Sequence, residues 1–200
     1  MCGSPPRIRW CVEAAKTLHE LAVRGSAGSA VSVIAVTGPV GAGKSTVARH
    51  LSPVVLRSDD YLPDYELVSE ELRDLPESSD LGRLGADLAE LRAGRRVAVP
   101  VWSFQTHRRE GERWVEPARF VVVEGIHAFE VADRVRVDLK VFVEALPSTR
   151  WTRWEAIERA GERGWGVERA LRYFEGVAEP TFRARRDRLC GMAEVFVDNE

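Results

Sequence analysis

Val31-Ser-Val-Ile-Ala-Val36-Thr37-Gly38-Pro-Val-Gly41-Ala42-Gly43-Lys44-Ser45-Thr46 is the stretch whose reading decides the fold. Its opening residues, small or β-branched and mostly apolar, are those of a short buried strand. The sequel Ser45-Thr-Val-Ala-Arg-His-Leu51 carries a helical pattern, so the segment reads as strand, glycine-rich turn, helix. The turn fits G-x-x-x-x-G-K-S/T. Glycines let the backbone fold around a polyphosphate with its N–H groups inward, and the following helix turns its positive end to the anion. Lys44 is expected to reach the β- and γ-phosphates, and the Ser45 hydroxyl to hold a Mg²⁺ that bridges them. Gly38, Gly41, Ala42, Gly43, Lys44, Ser45 and Thr46 are therefore the candidate nucleotide-binding residues, with ATP and Mg²⁺ the ligands they imply. Lys16, Lys44 and Lys140 are the only lysines among 29 basic residues, so a compact ammonium at this position stands out in an arginine-rich chain.

Further strands are expected at Val54 to Arg57, Phe120 to Val123, Leu139 to Val143 and Glu194 to Val197. The near-continuous apolar runs among them suit strands covered on both faces, hence a parallel sheet. Helices are expected over Leu81 to Ala93, Ser148 to Gly161 and Val167 to Phe174, and an N-terminal one along Ile8, Cys11, Val12, Ala15, Leu18 and Ala22. Arg96 to Val101 and Arg113 to Val115 read as a hairpin-like excursion, and Asp59 to Asp80 as a long loop with one helical turn around Val68 to Asp74. The expected class is α/β: a three-layer P-loop NTPase fold, its parallel sheet flanked by helices, with a small substrate hairpin and a helical lid. The division is an N-terminal helix and linker over 1–30, packed on a single domain over 31–200 with its lid at about 148–166. Ligands of such sheets sit beyond the carboxyl ends of the strands.

The 200 residues are 44% hydrophobic and 30% charged, too apolar for intrinsic disorder, and the net charge of −2 supplies no long-range field for gathering nucleic acid. No apolar run approaches the roughly 20 residues that span a bilayer. Cys2, Cys11 and Cys190 form no C-x-x-C pair and are odd in number, which argues against a zinc site or a disulfide framework and for a reducing cytoplasm. A small-molecule partner is expected, with no nucleic acid and no membrane; assembly into a homo-oligomer is compatible with this reading.

Asp59 and Asp60 follow the second strand at the edge where the phosphate loop opens, and a carboxylate there can take a proton from an attacking hydroxyl. Glu124 follows the Phe120 to Val123 strand, where a carboxylate meets the metal directly or through water. With these in place the sequence resembles the uridine kinase group of P-loop nucleoside and small-metabolite kinases, which includes phosphoribulokinase-like and pantothenate kinase-like relatives. The likeness runs from about Val31 to Asn199. Ser58-Asp59-Asp60-Tyr61-Leu62-Pro63 resembles the S-x-D-D-F-Y segment, which implies Asp59 as base and as a neighbour of the metal. Asp74-Leu-Pro76-Glu-Ser-Ser-Asp80 resembles D-H-P-D-x-x-D, which implies that Asp74 holds ribose hydroxyls. Pro100-Val-Trp102-Ser103-Phe104-Gln-Thr-His107-Arg-Arg109 is similar to P-x-Y-D-F-x-x-H-x-R. This implies substrate contacts from Trp102, Phe104, His107 and Arg109, with Trp102 offering a flat stacking face in place of a phenol. Val123-Glu124-Gly125-Ile126 is similar to the E-G-I signature. Arg150 to Arg163 occupies the place of the lid, and the resemblance implies Arg159 and Arg163 as its phosphate-facing arginines.

The implied activity is transfer of the γ-phosphoryl group of ATP, with Mg²⁺, to a hydroxyl of a uridine- or cytidine-like nucleoside or a similar metabolite. The alternatives are a kinase of a non-nucleoside alcohol or sugar phosphate, and a nucleotide-binding sensor without turnover. A GTPase switch lacks its N-K-x-D and D-x-x-G elements, and an ABC-type ATPase its signature loop. His19, His50 and the basic run Arg183 to Arg188 read as surface, the remaining tryptophans as packing, and His127 has no assigned role.

Overall fold

A computed structural model describes residues 5–200; Cys2 and the other three residues at the start lie outside it. Six strands form one sheet: β1 (Arg7–Arg9), β2 (Ser32–Thr37), β3 (Val55–Arg57), β6 (Phe120–Glu124), β7 (Leu139–Glu144) and β8 (Val195–Asp198). Their order is β1-β8-β7-β2-β6-β3 and every pairing is parallel. β4 (Val97–Ser103) and β5 (Arg108–Val115) make a separate antiparallel hairpin.

Alternation along each central strand explains the three layers. Val33 and Ala35 of β2, with Val121 and Val123 of β6, pack under Leu81, Leu84, Leu88 and Leu91 of α3 (Leu81–Arg92). The intervening Ile34, Val36 and Val122 face the other way, onto Leu18 and Ala22 of α1 (Ala14–Gly25) and Val47 and Leu51 of α2 (Lys44–Leu51). The expected parallel sheet with helices on both faces is the observed architecture. No helix among the described residues is long and apolar enough to cross a membrane.

The beginning of the chain departs from the expected helix. Ile8 lies in β1 opposite Val197, and the helix starts only at Ala14. Pro5 and Pro6 disfavour helical backbone, and the open edge of β8 provides partners. The Phe196 N–H donates to the Pro6 carbonyl at 2.9 Å and the Trp10 N–H to the Asp198 carbonyl at 2.8 Å. Ile8 still reaches the core, from a strand.

The long loop after β3 is a chain of short 3-10 turns at Ser58–Tyr61, Tyr65–Leu67, Glu70–Leu72 and Pro76–Ser78. After β7 come α4 (Pro147–Arg159), α5 (Val167–Tyr173), a π-helical turn at Phe174–Ala178 and α6 (Glu179–Met192). The last two residues bind distant elements. Asn199 Nδ2 donates to the Ala42 carbonyl at 2.8 Å. The Glu200 carboxylate accepts from the Leu146 N–H at 2.7 Å and the Thr149 hydroxyl at 3.0 Å, at the start of α4.

Candidate active site

Because β2, β3 and β6 run parallel, their carboxyl ends deliver Thr37, Arg57 and Glu124 to one edge of the sheet. The phosphate loop leaves β2 there and closes on Gly43, the N-cap of α2, whose φ of 90° is a left-handed conformation that suits glycine. The loop's carbonyls are engaged from neighbouring elements. Besides the Asn199 bond, Arg150 Nη1 donates to the Val40 carbonyl at 3.2 Å and Arg153 Nη1 to the Gly41 carbonyl at 3.4 Å. Of its amides, the Ala42 N–H donates to the Pro39 carbonyl at 3.2 Å, while among the described residues no protein acceptor takes the N–H groups of Gly41, Gly43, Lys44 or Ser45. Backbone donors gathered at a helix N-terminus form an anion cradle.

Lys44 Nζ donates to the Pro39 carbonyl at 2.9 Å, which leaves two of its three N–H groups for an anion. Burial lowers its pKa, while Glu124 and Asp59 pull it back up. Ser45 Oγ donates to Glu124 Oε1 at 3.0 Å. Glu124 is 5% exposed; burial raises its carboxyl pKa, the charge of Asp59 adds to this, and Lys44 and the Ser45 bond oppose it. Two carboxylates that repel each other beside a hydroxyl and a phosphate cradle fit a divalent cation. Among the described residues no cluster of three His, Cys, Asp or Glu surrounds such an ion. The Glu124 carboxylate and Ser45 hydroxyl are hard oxygen donors of the kind Mg²⁺ takes.

The two successive aspartates part company. Asp60 is 1% exposed, ion-paired through both carboxylate oxygens to Arg57, and accepts the Trp102 N–H at 3.3 Å. It fixes β3 to the hairpin. Among the described residues Asp59 accepts only from Ser58 Oγ, at 3.3 Å, and it lines a cavity of about 590 Å³ that opens beside the phosphate loop.

The far wall of that cavity is aromatic. The Tyr65 and His107 rings stack with centroids 5.2 Å apart and planes at 13°, and Trp165 stacks on His107 at 5.5 Å and 29° and reaches Tyr65 as well, at 6.2 Å. Arg163 lies over the Phe104 ring at 4.5 Å. Burial lowers the His107 pKa, helped by Arg169 and Arg73. Asp74 receives the Tyr173 hydroxyl at 2.9 Å; burial, reinforced by Asp59, pushes its carboxyl up to about 6 against the lowering effect of that bond.

Of the expected residues, Gly41, Gly43, Lys44, Ser45, Thr46, Asp59, Asp74, Phe104, His107, Glu124 and Arg163 line this one cavity. Three others are placed differently. Trp102 is 2% exposed, packs beneath Tyr65 and Phe104, and spends its Nε1–H on the Pro63 carbonyl at 3.2 Å, so its face supports the wall instead of opening onto the cavity. Arg109 is exposed on β5 and engages the loop through its backbone N–H, bonded to Asp64 Oδ1 at 2.8 Å. Arg159 points to solvent and pairs with Glu155 one turn back on α4, a position that faces away because Trp154 and Glu158 occupy the buried side. Gly38 and Ala42 shape the loop without lining the cavity.

Tyr65, Arg73, His127, Trp165 and Tyr173 also line the cavity, and Arg185 stands behind it. Arg185 belongs to the run expected at the surface, yet it is half-buried, with Nη2 on Glu130 at 2.6 Å. Its neighbours Arg183, Arg186 and Arg188 are exposed as expected.

Sequence comparison adds kinship to this geometry. The profile described as "Phosphoribulokinase / Uridine kinase family" matches residues 70–196, a segment that starts beyond the phosphate loop. A uridine kinase of Clostridium tetani is 30% identical over 162 residues, covering 74% of this chain and 77% of its own. The crystal structure of a proposed fructose transport system kinase from Silicibacter sp. TM1040 superposes with a TM-score of 0.69 at 18% identity, covering 91% of this chain and 98% of its own. A possible uridine kinase from Bacillus stearothermophilus superposes with a TM-score of 0.54 at 19% identity, covering 93% and 100%. At these identities the two superpositions speak to the fold.

Proposed function

The chain belongs to the phosphoribulokinase/uridine kinase family, and from that premise we propose that it transfers the γ-phosphoryl group of ATP to a hydroxyl of a nucleoside or similar small metabolite. The observation that carries this reading is the set of four unclaimed backbone N–H groups and Lys44 on the same cavity as Asp59 and Asp74. The loop amides and Lys44 bind the donor's phosphates. Ser45 and Glu124 would hold Mg²⁺, which neutralises phosphate charge when bound. Asp74, with one oxygen on Tyr173, offers the other to an acceptor hydroxyl. The attacking oxygen gives its proton to the Asp59 carboxylate as it bonds to the γ-phosphorus, and the electron pair of the breaking bond leaves with ADP. General-base help of this kind contributes about 10²–10⁴-fold, with positioning and electrostatics supplying the rest. The stack of Tyr65, His107 and Trp165, with Arg163 beside it, excludes water that would otherwise compete as acceptor.

A second reading replaces the nucleoside by another alcohol or a sugar phosphate. Trp102 favours it, because the ring carries no phenol and its only N–H is already bonded to Pro63. ADP release at fixed ATP and Mg²⁺ across nucleosides and hydroxyl metabolites separates the cases. Release with a nucleoside supports the first, and release with a sugar phosphate alone moves the assignment to the second. Tight ATP binding without release on any acceptor overturns both in favour of a sensor.

A further inference from the structure

Asn199 is the only asparagine in the chain, and its side chain meets the phosphate loop from outside the cavity. β8 ends one residue earlier, and the Asn199 N–H donates to the Glu144 carbonyl at 2.9 Å, so the backbone that carries the amide is pinned to the end of β7. The atom 2.8 Å from the Ala42 carbonyl is Nδ2, because a carbonyl oxygen can only accept.

This bond acts on a peptide plane. The described peptides contain no cis bond, so the Ala42 C=O and the Gly43 N–H lie in one plane and point in opposite directions. Holding that carbonyl on the outside of the loop aims the Gly43 N–H, which has no protein acceptor, at the cavity that Gly43 lines. Local sterics leave the plane undecided. A flip changes ψ of Ala42 and φ of Gly43, and glycine accepts φ of either sign. The amide also lies where a side chain would stand, since a Cβ on Gly43 would be 2.1 Å from Nδ2. Two residues earlier, Arg150 Nη1 on the Val40 carbonyl aims the Gly41 N–H in the same way. The two amides thus have separate guides, one from α4 and one from beyond β8.

We propose that Asn199 is a positioning residue for the phosphate donor: by holding the Ala42 carbonyl outward it keeps the Gly43 N–H turned to the donor's phosphate oxygens, while touching no ligand itself. This rests on the donor-binding reading of the loop and adds which side chain sets the aim of which amide. Aspartate in its place would work against that aim. A carboxylate repels the Ala42 carbonyl, and it accepts from the Gly43 N–H once the plane has turned over.

Full-length native protein, Asn199→Ala and Asn199→Asp are labelled with ¹⁵N-glycine and titrated with inorganic tripolyphosphate and Mg²⁺, with melting temperatures to establish folding. In the native protein the Gly41 and Gly43 N–H resonances should both move on binding. Asn199→Ala is expected to raise Kd about five- to tenfold, and at saturation Gly43 should keep less than half of its native shift while Gly41 keeps its own. Asn199→Asp should lose more on both counts. In ADP-release assays the KM for ATP should rise with the acceptor KM within twofold. General loosening would instead move both glycines alike. Equal changes at Gly41 and Gly43, an unaltered Kd, or an aspartate variant no worse than the alanine one overturn the proposal. Native protein that binds neither tripolyphosphate nor ATP refutes the donor-binding reading itself, and the positioning role with it; binding that the variants share in full refutes the positioning role alone. If neither variant folds, the native protein decides, because ¹⁵N-asparagine labels a single side-chain amide. A phosphate that favours the outward carbonyl must favour the Asn199 bond by the same factor, so tripolyphosphate should slow exchange of the Nδ2 protons with solvent. Exchange indifferent to the ligand overturns the proposal.

Discussion

Replacing Asp74 by asparagine should make the protein more stable above neutrality while weakening its hold on the acceptor. Burial lifts the Asp74 carboxyl from 3.8 to about 6, so the folded protein binds this proton more tightly than the unfolded chain does. The sign follows from linkage. Stability from the protonated carboxyl is fully present below about pH 4, is lost as pH climbs toward 6, and stays lost above. A rise from 3.8 to about 6 is worth about 3 kcal/mol at most, less whatever the water in the cavity returns to the carboxylate. Asparagine never ionises and its amide oxygen still accepts the Tyr173 hydroxyl. Urea unfolding of native and Asp74→Asn protein, without ligands, should show equal stabilities near pH 4. A gap in favour of the variant should open through pH 6 and level off at no more than about 3 kcal/mol by pH 8. A gap that does not change with pH, or a variant less stable at pH 8, would refute the claim that an ionised, desolvated carboxylate sits in this pocket. In the same variant the acceptor KM should rise, because the charge that destabilises the empty pocket is the one offered to the hydroxyl.

Lys44→Ala should lower transfer by on the order of 10³-fold or more and weaken ATP binding, measured by ADP release and calorimetry. Asp59→Asn should cost about 10²–10⁴-fold in kcat with ATP affinity largely kept, and native-like turnover would remove Asp59 from the mechanism. Arg163→Ala should reduce kcat/KM at least about tenfold, whereas Arg159→Ala, exposed and paired with Glu155, should change it less than twofold; steady-state kinetics of both variants test the placement. Trp102→Ala should destabilise the fold by about 3–5 kcal/mol in denaturant titrations, because the ring is a buried support for Tyr65 and Phe104.

The sheet was readable where burial writes on the sequence. β2, β6 and β7 are covered on both faces and therefore appear as unbroken apolar runs. β1 has three residues and a single inward side chain, Ile8, whose spacing to Val12 and Ala15 also suits a helix; only the partner strand decides, and that strand lies at the other end of the chain. α6 left little trace, since its arginine-rich sequence buries just Phe182 and Leu189. In the cavity, the residues legible beforehand are those in contiguous motifs, such as Gly41 to Thr46 or Phe104 to His107. Tyr65, Trp165, Tyr173 and Arg185 come singly from four segments, with no spacing that could join them. Arg185 illustrates the limit: in sequence it is one arginine in a basic run, and its inward turn depends on Glu130 and His127 from elsewhere.

The brace from Asn199 to the phosphate loop has a kinetic corollary. The two partners are 157 residues apart, and the central strands likewise pair with neighbours far along the chain. Contacts of such long range form late and slow the search for the native state. During synthesis, a ribosome that has released Ala42 must still extrude the 157 residues to Asn199 before the buttress arrives, so the loop waits unbraced for most of that interval.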